Sequence, residues 1–348
     1  MQGENLVLTG GTKEGDRGII YSVYHFLEDI VGIRWWNRWQ EYIPDISVDM
    51  RGGYVQDFAE NAGRFCGDGL YLNVDGKIND SFSYSWNQSI APSYGEFNSG
   101  FAETNWLLLT YEVGNFAFTA GKDALLVGSF EYNANTIDSY FDMNSMFYNM
   151  FDCWQFGVSA AWYPAEDQAV IAQISNSPFA YGEPGLFSYS AAWQGAWDFY
   201  ESYWTANLWE FEAGKYTKAL NFGNRFYLGD FTVDLEYMTR TYEMKGLFKD
   251  DFTLLIAPSY EWTWGRAFAK YGFEHVTKDL PYELAYDSGN FMFYGAGLEF
   301  FPLKENKNVR VHAAWMGHTI GISTLDIGLT WKMDITGPVR KLFGKSAN

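Results

Sequence analysis

The sequence predicts an all-β protein: a closed, transmembrane antiparallel β-barrel of sixteen strands preceded by a short N-terminal α/β fragment. Three observations lead there. The segment Ser323 to Asp334 (STLDIGLTWKMD) places Leu325, Ile327, Leu329, Trp331 and Met333 on one face and Thr324, Asp326, Gly328, Thr330, Lys332 and Asp334 on the other, the period of two that belongs to a strand. The chain is 20% aromatic yet has a mean hydropathy of −0.24, and no run approaches the ~20 apolar residues of a membrane helix. Segments of this kind recur, joined by tight turns and longer connections in alternation, as in outer-membrane barrels. A large Tyr-rich soluble sandwich would use the same alternation with its apolar face inward.

Residues 1 to 50 read as the α/β fragment. Asn5 to Thr9 is a short apolar strand ending at Gly10-Gly11, and Ile19 to Ile30 spaces Ile20, Val23, Tyr24, Phe26, Leu27 and Ile30 as a helix does. Gly32 stops that helix, and Ile33 to Trp36 starts a further strand. From residue 56 the period changes to two. Phe82, Tyr84 and Trp86 alternate with Ser83, Ser85 and Asn87; Trp154, Phe156, Val158, Ala160 and Trp162 alternate with polar or small residues. Phe231, Val233, Leu235 and Tyr237, and later Val309, Val311, Ala313 and Trp315, repeat the pattern. Tight turns are expected at Gly114-Asn115, Gly229-Asp230 and Lys304 to Asn306. Fifteen strands can be marked between Arg64 and Asp334, and barrels of this kind close on an even number, which gives sixteen, or fourteen as the alternative. Residues 336–348 form a C-terminal tail.

Charge and cysteine usage exclude several functions. A net charge of −19, from 24 basic and 43 acidic residues, speaks against a nucleic-acid partner. Cys66 and Cys153 lie far apart with no CxxC spacing or His cluster, so they read as incidental thiols and no metal or other cofactor is expected.

Two resemblances cover different parts of the chain. The run Arg17 to Glu28 (RGIIYSVYHFLE), followed by Gly32 to Trp36 (GIRWW) and Glu41 to Pro44 (EYIP), resembles the accessory domain that precedes the catalytic barrel of α-glucuronidase-like glycoside hydrolases. It spans about 40 residues and includes none of the catalytic domain, so it implies no hydrolase activity. Thr119 to Asp123 (TAGKD), Gly128 to Asn133 (GSFEYN) and Ile137-Asp138, supported by Leu70 to Asp80, Gln155 to Ala160, Gln173 to Phe179 and Asp326 to Trp331, resemble the Bacteroidetes porin family that includes the phosphate-selective porin O and P type. That resemblance covers roughly residues 60 to 335. It implies an outer-membrane porin, a passive diffusion channel for small hydrophilic solutes or ions, with outer-membrane lipid around it, no chemistry, and a possible homotrimeric assembly. It does not establish a phosphate substrate. The alternatives are a carbohydrate-related protein (a sugar-specific channel or a non-conducting sugar-binding barrel) and a glycoside hydrolase fragment. Met1 to Asn5 supplies neither the basic start nor the apolar core of a secretion signal. The join near residue 50 is therefore read as chimeric, with deletion of residues 1 to 50 expected to leave folding intact.

Residues that could set selectivity fall into two groups. The long connection after Lys122 carries Glu131, Asp138 and Asp142 with no further basic residue before Cys153; folded into the lumen it would narrow the pore, folded outward it would cover the rim. On the strands the lumen parity holds Asp234, Glu236, Arg240, Arg266, Lys270, Glu274, Glu299, Arg310, His312, Asp326, Lys332 and Asp334. Residues 1 to 55 contain five of the basic and eight of the acidic residues, which leaves 19 basic and 35 acidic in the barrel. This balance predicts weak cation preference or none; Arg266, Lys270 and Arg310 are where a local basic ladder could override it.

Overall fold

In the computed structural model the alternating segments close into a ring. The structure describes residues 44–90, 103–134, 136–140, 145, 153–179, 185–241, 246–277, 288–304 and 306–343. The strands are β1 (Asp45–Asp57), β2 (Ala62–Lys77), β3 (Phe82–Ser89), β4 (Thr104–Val113), β5 (Phe116–Ala124), β6 (Trp154–Ala165), β7 (Gln168–Asn176) and β8 (Phe187–Trp197). They continue as β9 (Tyr200–Glu212), β10 (Lys215–Leu228), β11 (Phe231–Thr241), β12 (Phe252–Trp262), β13 (Gly265–Val276), β14 (Gly289–Phe300), β15 (Val309–His318) and β16 (Ser323–Asp334). Each pairs antiparallel with its neighbour in sequence, and β1 pairs with β16 from Ser47 opposite Asp334 to Asp57 opposite Thr324. The sixteen expected strands are thus present and leave no edge. An edge-free sheet is the strand-based way to span lipid with every backbone group paired.

Burial decides which face is which. On β16, Ile327, Leu329 and Trp331 are each more than 40% exposed, whereas Asp326 and Thr330 are buried. The same holds around the ring: Leu107, Val158, Ile174, Leu254, Leu298 and Val311 are exposed, while Asn87, Asn207, Asn221, Glu236, Arg240 and Glu274 are buried. A soluble sandwich would reverse this; an apolar exterior around a polar lumen is the membrane arrangement. Aromatic contacts lie at both margins of the apolar band. Trp197 and Tyr200 (5.6 Å), and Trp262 and Trp264 (5.2 Å), lie near one rim; Tyr237 and Phe252 (5.9 Å), and Phe252 and Phe273 (6.0 Å), lie near the other. Amphipathic rings favour such interfacial positions.

The two rims differ. The one holding both ends of the barrel has the connections 78–81, 114–115, 166–167, 198–199, 229–230, 263–264 and 301–308. In the two-residue loops at Gly114 and Gly229, φ is 55° and 67°, values glycine reaches without strain. The opposite rim carries the longer connections 90–103, 125–153, 177–186, 242–251 and 277–288 together with the short ones 58–61, 213–214 and 319–322.

The barrel begins earlier than the sequence predicts. β1 starts at Asp45, inside the stretch assigned to a fragment ending at residue 50 and ahead of a barrel expected from residue 56. Gly52-Gly53 and a register shift between Arg51 and Gly52 blur the alternation there. A Cβ at Gly53 would lie 2.3 Å from the Ile327 carbonyl oxygen, so close backbone approach to β16 requires glycine. The expected α/β fragment, including Asn5 to Thr9 and Ile19 to Ile30, lies in residues 1–43, outside the described residues. Part of the C-terminal tail forms a helix, α1 (Thr336–Phe343). Asp334 caps it, accepting the Thr336 N–H at 2.9 Å, and the Thr336 hydroxyl accepts the Ile46 N–H at 2.8 Å, tying α1 to β1.

Candidate functional site

The described part of the connection between β5 and β6 folds into the lumen, deciding between the two orientations open in the sequence. It leaves β5 along the inner wall, where Leu125 and Val127 pack with Trp209, Ala219 and Met238. Wall side chains take up its backbone. The Gln173 side chain accepts the Leu126 N–H at 3.1 Å, Asn207 donates to the Leu126 carbonyl at 2.6 Å, and Thr205 accepts the Gly128 N–H at 2.9 Å. A Cβ at Gly128 would sit 2.6 Å from the Tyr203 carbonyl oxygen, so this approach too depends on glycine.

Glu236 of β11 makes the first clasp. Its carboxylate accepts the N–H of Phe130 at 2.8 Å, the N–H of Glu131 at 3.0 Å and the Ser129 hydroxyl. Glu131 then reaches Lys270 of β13 at 2.7 Å, and the Ser145 hydroxyl donates to Glu274 at 2.7 Å. The second clasp lies across the lumen, at a single 3₁₀ turn, Thr136–Asp138. There Asp138 bridges Arg310 of β15 and Lys332 of β16, the latter at 2.7 Å, while Arg51 of β1 donates to the carbonyls of Ile137 and Ser139. The Tyr140 hydroxyl donates to Glu299, and its ring stacks on His312 with centroids 4.1 Å apart. Burial pushes the Asp138 carboxyl up, but Lys332 and Arg310 outweigh it and hold the group below its ordinary range. Burial and the nearby Glu299 push the Tyr140 hydroxyl up.

The remaining predicted lumen residues fall into the same network. Arg240 meets Asp251 at 2.5 Å and Glu274 at 3.9 Å; Arg266 meets Glu299 at 2.6 Å; His312 meets Asp326 at 3.0 Å. Asp234 is held by Arg225 through two bonds of 2.6 and 2.8 Å. Asp334 stands at the rim as the cap of α1. Of the loop group, Lys122 is buried at the end of β5, in register opposite Leu107 and Phe156. Asp142 lies outside the described residues. Sequence reasoning missed Arg51, hidden by the blurred start of β1, and Arg225. The parity of Phe222 and Phe226 on β10, opposite to that of Arg225, was the signal for the latter.

Two cavities remain on the tight-turn side of the loop, of about 540 and 500 Å³. They share Phe130 and Arg225, and the Arg225 guanidinium lies 4.2 Å from the centroid of the Phe130 ring, a cation–π contact that divides the space. The larger is lined by Glu131, Asp138, Asp230, Asp234 and Glu261 against Arg225, Arg266 and Lys270. In the smaller, Glu166, Asp167 and Glu201 face Arg225 alone. Among the described residues no group of His, Cys, Asp or Glu is placed to hold a metal ion.

A polar lumen narrowed by an inward loop is the layout of a diffusion channel, and comparison of the sequence with family models agrees. The model described as phosphate-selective porin O and P matches residues 55–242. The chain belongs to that family. Its fold is shared with solved structures of low sequence identity. The outer membrane channel DcaP of Acinetobacter baumannii has a TM-score of 0.63 at 9% identity, covering 86% of this chain and 99% of that one. A trimer form of OmpT, an outer membrane protein of Vibrio cholerae, has 0.61 at 13%, covering 84% and 100%. A mutant of the Rh. blastica porin has 0.57 at 10%, covering 84% and 100%. Comparison with curated proteins gives no match. The porin is therefore a bacterial outer-membrane channel for passive diffusion and not an enzyme.

Proposed function

We propose that this porin conducts small hydrophilic solutes and ions with a weak preference for cations, and that the family's phosphate description does not carry over to it. One observation carries the reading: each basic side chain predicted to form an anion-selective ladder meets a carboxylate. Arg266 faces Glu299, Lys270 faces Glu131, and Arg310 faces Asp138. The two cavities add an excess of acidic over basic groups. Phosphate recognition draws on cationic and N–H donors free to point at the anion, and here those donors are engaged. Glu131, Asp138, Asp234, Glu236, Glu299 and Asp326 act as the acidic half of the lumen, and Arg240, Arg266, Lys270, Arg310 and Lys332 as the compensating half. The full chain in a planar lipid bilayer, under a KCl gradient, tests this. A reversal potential of cation-favouring sign is expected; an anion-favouring sign would overturn the proposal.

A sugar-conducting channel is the second reading, favoured by the aromatic faces of Phe130, Tyr140, Tyr227 and Phe268 in the larger cavity. Transient current block by a neutral oligosaccharide is its signature. A homotrimer is supported by the trimer form of the similar OmpT fold and is read from the mass of the unheated, detergent-solubilised protein. We infer that residues 1–43, with their hydrolase-accessory resemblance, are an appended segment that the channel does not use.

A further inference from the structure

We propose that Asp138 is an internal anion seated in a three-cation site at the seam where the barrel closes, and that this single carboxylate determines which sign of ion the lumen favours. The inference rests on the cation-preferring reading above and assigns it to one residue.

Three adjacent strands build the site. Arg310 of β15 and Arg51 of β1 both lie opposite Thr330 of β16, one from each side, and Lys332 follows two residues along the same face. Three cationic groups therefore share one level of the wall. The 3₁₀ turn delivers one charge and two carbonyl dipoles to them. Arg310 and Lys332 take one Asp138 oxygen each, and Arg51 takes the carbonyls of Ile137 and Ser139 on either side. A carboxylate held by a guanidinium and an ammonium, beside a second guanidinium, occupies the place that a free oxyanion would take.

The neighbouring carboxylates have other partners. Asp49 of β1 lies opposite Lys332 and accepts the Asn73 amide at 3.2 Å. Glu299 of β14 is held by Arg266 at 2.6 Å and by Tyr140, with Arg310 at 3.7 Å. Asp326 is paired with His312. Around this seam four carboxylates (Asp49, Asp138, Glu299, Asp326) thus balance four basic side chains (Arg51, Arg266, Arg310, Lys332), and loss of Asp138 alone leaves an excess of positive charge. Exposure makes that change visible to a passing ion. The side chains of Asp138 and Lys332 are 31% and 28% exposed, against 7% and 5% for the Glu131–Lys270 pair, and Asp138 lines the larger cavity.

The test compares the wild-type full chain with D138N and D138E in planar bilayers at low salt, about 0.1 M, where charges act over a Debye length of about 10 Å. Removing one unit charge from the lumen wall, screened at this salt, changes the local cation and anion concentrations roughly 1.5-fold in opposite senses. The potassium-to-chloride permeability ratio of D138N is thus expected to fall about twofold. Inorganic phosphate, added as the probe, is expected to reduce current through D138N and not through D138E. D138E keeps the charge and is expected to match the wild type. A heat-modifiable electrophoretic band confirms that each variant is a folded barrel. An unchanged ratio in folded D138N overturns the proposal. So does an equal shift in D138E and D138N, which would assign the effect to loop packing. A wild-type channel that already favours chloride overturns the cation-preferring function but leaves the difference between wild type and D138N as the measure of Asp138.

Discussion

At β11 the wall supplies a carboxylate and the loop supplies the donors; at the closing seam the loop supplies the carboxylate and the wall supplies the cations. The two clasps hold one loop by mirrored chemistry, and their surroundings differ. Glu236 is 3% exposed and accepts from two backbone N–H groups and a hydroxyl, so its geometry is fixed by chain direction. Asp138 is a third exposed and held by two long, flexible basic side chains, an arrangement weakened by salt and open to the ion path. The first clasp fixes where the loop lies, and the second sets the charge it presents.

Breaking the first clasp should have the larger effect. Glu236→Ala strands the N–H groups of Phe130 and Glu131 and the Ser129 hydroxyl in a buried setting. An orphaned buried donor costs ~1–3 kcal/mol, so the total is roughly 3 kcal/mol or more. The variant is expected to lose heat-modifiability at a lower temperature and to show larger, noisier single-channel conductance as the loop leaves the wall. Wild-type behaviour in both assays would mean that Gln173, Thr205, Asn207 and the seam clasp hold the loop without Glu236.

Phe130→Ala sharpens the contrast, since Phe130 is positioned by Glu236 but projects into the lumen. The substitution removes the ring that divides the two cavities and a cation–π contact worth about 0.5–1 kcal/mol at a partly exposed site. A moderate rise in conductance is expected with the barrel's thermal stability nearly unchanged. Unaltered conductance would show that the narrowest point lies elsewhere.

These residues also show what a sequence reveals about such a molecule. Strand alternation is local, so β16 and the faces of β11 and β15 were readable from a dozen residues each, and barrel parity supplied the count. β1 was not, because glycines chosen for close backbone approach erase the side-chain pattern. Lumen parity placed Arg310 and Lys332 on the correct face, yet their shared partner, Asp138, lies 172 and 194 residues away in sequence. No spacing rule connects them. Only the inward loop does, and the wall's hydrogen bonds set its direction.

Acid tests the seam clasp by titration. Asp138 is held below its ordinary value of 3.8, so the folded channel binds this proton less tightly than the unfolded chain. Its contribution to stability is complete above 3.8 and is lost as pH falls through the lower folded value. Cation preference is therefore expected to persist from neutral pH to about 4 and to fade only below it, as read by the reversal potential at stepwise lower pH. Loss of preference already between pH 7 and 5 would place the deciding charge on a different group.

The smallest expected effect tests the seam from the other side. Deleting residues 1–43 leaves β1 whole, with Arg51 still donating to Ile137 and Ser139, so folding and ion preference should both match the full chain. Deleting residues 1–50 is different. It removes Ser47 to Met50, which pair with Trp331 to Asp334 of β16, and leaves Arg51 at a new terminus with its strand half gone. The seam clasp should then fail while the Glu236 clasp, five strands away from β16 through β15 to β12 and across the lumen, keeps its partners. Heat-modifiability of the two truncations in parallel distinguishes them. If both fold alike, β1 contributes less to closure than its register with β16 implies, and the charge at the seam must be held by β15 and β16 alone.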